Sequence, residues 1–201
     1  MLHLTLAGAD TLLLSTLCGR CPQGPAGCCA SPPAVAFTDV GRIVRLGGSG
    51  WLMAEIAAGN LRPSPRGLAI RRAAPGESLP ARCAYHGPKG CSIPHERRSA
   101  TCNYYICDDA FAFGGEAEGR LEATAARRVH EALTAFYGQW DIKIAERVIA
   151  RFPGGPPWDA AFLDWLGDQF DCAVAVAIPV TGAQITDLAA KAPPETPETP
   201  R

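Results

Sequence analysis

Residues 18–29 read CGRCPQGPAGCC, and this stretch decides what kind of fold the rest of the chain has to build. Cys18 and Cys21 are separated by two residues. At that spacing a tight turn brings two thiolates onto one metal, about 2.3 Å from each sulfur. After six more residues Cys28 and Cys29 are adjacent. In an extended chain adjacent side chains point to opposite sides, so the pair serves two centres or contributes only one ligand. The PQGPAG insert between them cannot be helical, because proline lacks an amide hydrogen and clashes with the preceding turn. The segment is a loop, and a loop of this kind needs a staple.

Working outward, Cys83, Cys91, Cys102 and Cys107 form a second group, separated by seven, ten and four residues. Proline and glycine recur so often from 62 to 91 that only short strands fit, at 67–70 and 81–85. Such a zone buries little, and the thiols are the obvious means of holding it. Four cysteines suit tetrahedral zinc and an iron–sulfur cluster equally well, whereas magnesium and calcium prefer oxygen. The predicted metal ligands are therefore Cys18, Cys21, Cys28, Cys29, Cys83, Cys91, Cys102 and Cys107, holding zinc or an iron–sulfur cluster. His86 and His95 lie inside the second group and are alternative ligands. Tyr104 and Tyr105 are expected to shield the centre from water. The ninth cysteine, Cys172, stands apart in FDCAVAVAIP and reads as a small buried apolar side chain.

The rest of the chain supplies helices. Thr38 or Asp39 can accept hydrogen bonds from free amides at a helix start, and Val40, Ile43, Val44 and Leu46 make an apolar face ending at Gly47 and Gly48. A second helical piece runs from 51 to 58 and stops at Gly59 and Asn60. Beyond Cys107 the sequence becomes rich in alanine. Leu121, Ala125, Val129, Leu133 and Phe136 recur at steps of four and three, on one helix face. Further helices are expected over 141–152, 158–176 and 183–190. The four tryptophans, Trp51, Trp140, Trp158 and Trp165, read as core or interface anchors. His130 falls beside the apolar face and is expected to face solvent. Asp108 and Asp109 suit a helix start.

The predicted fold is mainly α, with a loop-rich, metal-stapled region that has room for a short β-hairpin. It is one domain over 1–191, comprising a cysteine-cluster half at 15–107 and a helical half at 108–191, with a disordered proline-rich tail at 192–201.

Charge narrows the partners. The formal net charge is -1, so no overall basic field draws nucleic acid or anionic lipid. Residues 62–98 hold eight Lys/Arg against two Asp/Glu, whereas 107–201 hold eight against fifteen. Basic residues in the cysteine half can offset negative thiolates. No stretch reaches the ~20 apolar residues that span a bilayer. The apolar start, MLHLTLAGADTLLLSTL, lacks a basic leader region and a small-residue cleavage site, so the expected location is cytoplasmic. The partner is a metal ion, with a protein partner also open.

The ordered pieces resemble the YkgJ-type cysteine-cluster family, described as a zinc- or iron-chelating domain. They are Cys18-Gly-Arg-Cys21 with Cys28-Cys29, a segment opening Thr38-Asp39, Cys83 to Cys91-Ser92-Ile93, and Arg98-Ser99-Ala100-Thr101-Cys102. The likeness covers residues 15–107. Ser99 stands where that family has proline, and Asn103 where it has arginine. Flagellin lysine N-methylases share the cysteine pattern, so the resemblance also implies methyl transfer with S-adenosylmethionine, or a redox enzyme, as an alternative function. GGSGW at 47–51 matches no phosphate or dinucleotide loop and reads as a helix break. A third alternative is an exported protein framed by disulfides. A Cys91–His95 nucleophile pair is a weak further possibility, since Pro94 disturbs any helix carrying both.

Overall fold

A computed structural model of the chain describes residues 1–76, 80–87 and 90–190, with the backbone alone described from 177 to 190. The predicted tail at 192–201 lies outside the described residues. The fold is mainly α with short antiparallel hairpins, as its sequence pattern implies.

The apolar start is a hairpin of β1 (Leu2–Thr5) and β2 (Leu12–Ser15), which sets Leu4 opposite Leu13. Leu13 is buried and joins the core. After the cysteine loop, β3 (Val35–Ala36) leads directly into α1 (Phe37–Arg45). Every residue from Phe37 to Val44 is buried, so α1 is enclosed by protein and lacks the solvent face of an ordinary surface helix. Asp39 begins it in the predicted way: its Oδ2 accepts the Ala36 amide at 3.2 Å. Leu46, predicted on the apolar face, is past the end of α1 and 39% exposed.

Gly47, with φ +73°, turns the chain into α2 (Ser49–Ala57), so GGSGW is the expected break. A three-stranded sheet follows in the order β3-β5-β4, built with β4 (Leu61–Ser64) and β5 (Gly67–Ile70). Strand β5 has the predicted bounds. The 81–85 strand is shorter than predicted, since β6 (Arg72–Ala73) pairs only with β7 (Arg82–Cys83). Another two-residue pair, β8 (His86–Gly87) and β9 (Gly90–Cys91), completes the loop-rich zone.

Two short helices come next, α3 (Ala100–Tyr104) and α4 (Asp108–Phe113), the latter opening on the predicted acidic pair. Then α5 (Leu121–Arg151) and α6 (Ala160–Ala190) each run for 31 residues. The expected separate helices at 121–136 and 141–152 are one. A Cβ at Gly138 would meet nothing within 4 Å. One exposed glycine costs a helix only about 1 kcal/mol, which is too little to stop it. Likewise α6 continues through Pro179 to Ala190, joining the two pieces predicted at 158–176 and 183–190. Its start is at Ala160 because Asp159 caps it, Oδ1 accepting the Phe162 amide at 2.8 Å. Trp158, with φ +50°, stacks on Phe37 instead of entering the helix.

Helix α6 crosses α1 in close contact. A Cβ at Gly41 would sit 2.5 Å from the Leu166 carbonyl oxygen, so only glycine fits there. Leu121 is exposed, while Val129, Leu133 and Phe136 face the core as predicted. Trp140 is buried, and Trp158 and Trp165 are packed against the core.

Asp141 of α5 is partly buried near Asp39, and this has a measurable consequence. Burial, reinforced by the Asp39 charge, pushes its carboxyl from the ordinary 3.8 up to about 7, and the Thr38 hydroxyl only partly opposes this. The folded chain therefore holds a proton that the unfolded chain has released between about pH 4 and pH 7. The stability this group contributes is present below the lower value and lost as pH rises through the upper one. Asp141→Asn should consequently gain stability over the parent from about pH 4 to pH 7 and hold a constant lead above that. Urea midpoints of both proteins across that range check it, and a pH-independent gap would refute it.

Candidate metal centre

The cysteines sit on tight turns and element ends that the sequence forces. Cys18 lies in a 3-10 turn, Thr16–Arg20, whose start is capped by Ser15 Oγ accepting the Leu17 amide at 3.2 Å. The Ser15 backbone amide also bears on the Cys18 sulfur. Cys21 closes that turn. The returning loop passes so near its sulfur that a Cβ at Gly27 would lie 3.0 Å from Cys21 Sγ. Gly27 itself has φ +48°, which favours glycine on a second count.

Cys28 and Cys29 lie on another 3-10 turn, Gly27–Ala30. Consecutive side chains there are about 120° apart, unlike the 180° of an extended chain. The two thiols consequently meet: Cys29 donates a hydrogen bond to Cys28, which holds Cys28 below the ordinary thiol range and pushes Cys29 well above it.

Cys83 is buried on β7, and the backbone amides of Tyr85 and His86 favour its thiolate against the larger opposing effect of burial. Amides aimed at sulfur are a means of stabilising a thiolate. Cys91 lies on β9. Cys102, on α3, opens to solvent through a cavity yet is surrounded by protein; burial, with Asp39 and neighbouring thiols behind it, raises it to about 12.

That cavity has a volume of about 360 Å³, and five thiols line it: Cys28, Cys29, Cys83, Cys91 and Cys102. Val35, Leu61, Ile70 and Ile93 supply apolar wall, and Trp51, Tyr85 and Tyr105 supply aromatic wall. Arg97 and Arg98 also reach it, and no carboxylate pairs with either among the described residues. Arg97 instead donates to the carbonyls of Leu46 and Ile43, at 2.7 and 3.3 Å, and Arg98 to that of Ile93 at 2.7 Å.

Cys18, Cys21 and Cys107 lie outside that lining. Cys107 caps α4, and Gln23 of the first loop donates to Asp109 of α4 at 2.7 Å, which draws the two segments together. All nine thiols are free. Among the described residues, no three cysteine, histidine or carboxylate side chains stand close enough to hold one ion as they are placed. The thiols surround a space without converging on a point.

The histidines are placed differently from the sequence reading. Neither His86 nor His95 lines the cavity. His95 is exposed beside Glu96, on a 3-10 turn separate from β9, so it shares no helix face with Cys91. His130, expected in solvent, is half-buried: its Nδ1 is 3.0 Å from the Tyr104 carbonyl oxygen, and the rings of Tyr104, Tyr105 and Phe111 stand edge-on to it at 5.7–6.1 Å. Cys172, expected to be buried, is exposed; its neighbour Ala173 takes the core position. Of the two tyrosines predicted to shield the thiols, Tyr105 lines the cavity while Tyr104 packs into the core.

Sequence reasoning missed what holds the second cysteine segment. Asp39 Oδ1 accepts the Ala100 amide at 2.7 Å, and Oδ2 accepts the Ser99 hydroxyl at 2.9 Å. Arg42 donates to the Arg98 carbonyl and to Asp10 at 2.9 Å. Two charged residues of one buried helix thus fix the start of α3, the element that carries Cys102. The signal was present as Arg42 between Val40 and Ile43, a charge within an otherwise apolar face.

Also missed was Tyr85, whose hydroxyl donates to Glu55 at 2.6 Å beside the cavity. Comparison with known proteins gives no match to any family model, curated protein or solved structure. Among the described residues no helix is long and apolar enough to cross a membrane.

Proposed function

We propose that this protein binds a soft metal through its clustered cysteines, as zinc or an iron–sulfur centre, and that the centre staples the loop-rich half. The observation that carries this reading is the set of five free thiols around one cavity, with three more on adjoining turns. Donor chemistry fits: sulfur ligands, amides directed at Cys18, Cys28 and Cys83, and two arginines that have no carboxylate partner among the described residues and can offset thiolate charge. Bound metal supplies cross-links between segments that share little apolar contact, or one-electron chemistry if it is an iron–sulfur cluster. Free thiols throughout support a reducing, cytoplasmic setting over a disulfide framework. The resemblance to YkgJ-type proteins points the same way.

A second reading is a redox or methyl-transfer enzyme, and Tyr85 favours it, being hydrogen-bonded to Glu55 beside the thiols. A visible spectral response of the loaded protein to S-adenosylmethionine would support that enzyme, and silence would favour the staple.

Thiol titration tests the metal reading. In the native, metal-loaded protein, one cysteine per chain should react promptly, the exposed Cys172, and all nine should react after chelation in denaturant. Prompt reaction of the eight clustered thiols without chelation would contradict it.

A further inference from the structure

We infer that the cavity beside the thiols binds a small organic anion with a flat apolar body, an aromatic carboxylate being the simplest example. This goes beyond metal binding and does not depend on it.

The space is larger than an ion needs. At about 360 Å³ it falls within the size of small-molecule sites, roughly 300–1,000 Å³, whereas a zinc ion with sulfurs about 2.3 Å away fills a small part of it. The thiols do not close it off, since among the described residues no three metal-binding side chains converge on one point. Room for an organic occupant therefore remains whether or not some of them hold metal.

The walls select that occupant. Val35, Leu61 and Ile70 come from β3, β4 and β5, so all three strands of one sheet present apolar side chains to the space. Trp51 of α2 adds its indole, with ring centroid 6.4 Å from that of Tyr85, which also borders the space. The Tyr85 hydroxyl is already satisfied by Glu55, so its ring is what it offers a ligand. Water finds few hydrogen-bond partners in such surroundings, and a planar apolar group packs well against aromatic rings.

Positive charge comes from the next segment. Arg97 and Arg98 border the cavity, are half-buried, and have no carboxylate partner among the described residues. Arg97 uses only Nη1 on protein carbonyls, and Arg98 only Nε. Each guanidinium carries five donors in a planar fork that matches the two oxygens of a carboxylate, so both retain donors for a ligand. Their backbone is fixed from below: Arg42 donates to the Arg98 carbonyl, and Asp39 accepts the Ser99 hydroxyl and the Ala100 amide. Groups held in place before binding lose less freedom when a ligand arrives. An aromatic acid satisfies both sides, its ring against the sheet and Trp51 and its carboxylate at the arginines.

Calorimetric titration of the full chain, reduced and as purified, tests this with 2-naphthoate, the neutral 2-naphthamide, and acetate. One 2-naphthoate should bind per chain, at least about tenfold tighter than 2-naphthamide, the factor that a hydrogen bond to a charged group supplies. Acetate, which has no apolar body, should show no saturable binding. Arg98→Gln should remove the preference for the acid over the amide. Ile70→Trp, which fills the apolar side and leaves both arginines, should abolish binding of both. Circular dichroism shows that each variant has kept its fold, and the three-probe comparison on the unaltered protein needs no variant. Equal affinity for acid and amide, acetate binding as tightly as 2-naphthoate, no binding of any probe, or unchanged binding to Ile70→Trp would each overturn the inference. Metal analysis of the same preparation separates the two readings. A metal-free protein that binds 2-naphthoate selectively supports this site and counts against the metal alone, whereas a metal-loaded protein that binds no probe overturns this site alone.

Discussion

Replacing Arg42 with methionine should cost about 3–5 kcal/mol of folding stability, the penalty for removing one partner of a buried ion pair. Domains are stable by only about 5–15 kcal/mol, so the loss approaches the whole reserve. Arg42 is 1% exposed, and its guanidinium donates to Asp10 and to the Arg98 carbonyl while facing Asp39 at 3.9 Å. Without it the Asp39 carboxylate is left buried without its nearest positive charge. Asp39→Asn should be costly as well, because the remaining amide cannot accept the Ala36, Ser99 and Ala100 hydrogen bonds together with its donor end. The double variant should cost clearly less than the two single losses added, since each removes the same interaction. Urea unfolding of the four proteins measures the coupling, and strict additivity would contradict this account of the pair.

Metal removal should have an effect as large, confined to one half of the molecule. Structural zinc supplies on the order of 10 kcal/mol in small metal-dependent folds. Between 62 and 98 the described elements are strands of two to four residues and one three-residue 3-10 turn, with little core of their own. The segment holds eight Lys/Arg, so trypsin reports its opening directly. Chelation should speed cleavage there by at least about a hundredfold, the factor that about 2.7 kcal/mol of lost binding produces. Helices α5 and α6 should persist, because Val129, Leu133, Ile144, Leu163 and Leu166 form a packed core independent of the cysteines. An unchanged cleavage pattern would show that the loops are held without metal.

Local features were legible in the sequence to the extent that their causes are local. Asp39 begins α1, Gly47 ends it, β5 occupies 67–70 and the Asp108–Asp109 pair opens α4, each from chemistry within a turn of its position. The thiols were identifiable from spacing because a two-residue step is itself a local geometry. Their grouping was not. What brings Cys107 to Cys18 is the packing of α4 on a turn some ninety residues earlier, and what makes the thiols of Cys28 and Cys29 meet is a 3-10 turn where an extended chain was expected.

Similar reasons account for His130 and Cys172. The aromatic surroundings of His130 come from Tyr104, Tyr105 and Phe111, none on its own helix. Cys172 sits one residue from the core stripe of Phe170 and Ala173, and in a helix one residue turns a side chain by 100°. Composition around it was apolar, but the angle decided its exposure. Arg42 shows the opposite case: a charge in an apolar face can be the largest fully buried side chain of the element when its partners, Asp10, Asp39 and the Arg98 carbonyl, surround it.

The central claim is that the clustered thiols exist to hold metal, and direct metal analysis tests it most simply. Protein purified without oxygen should contain zinc, or iron with acid-labile sulfide and a brown colour, in an amount accounting for eight thiolate ligands per chain. A colourless protein, free of zinc and iron and with its clustered thiols unprotected, would contradict the account.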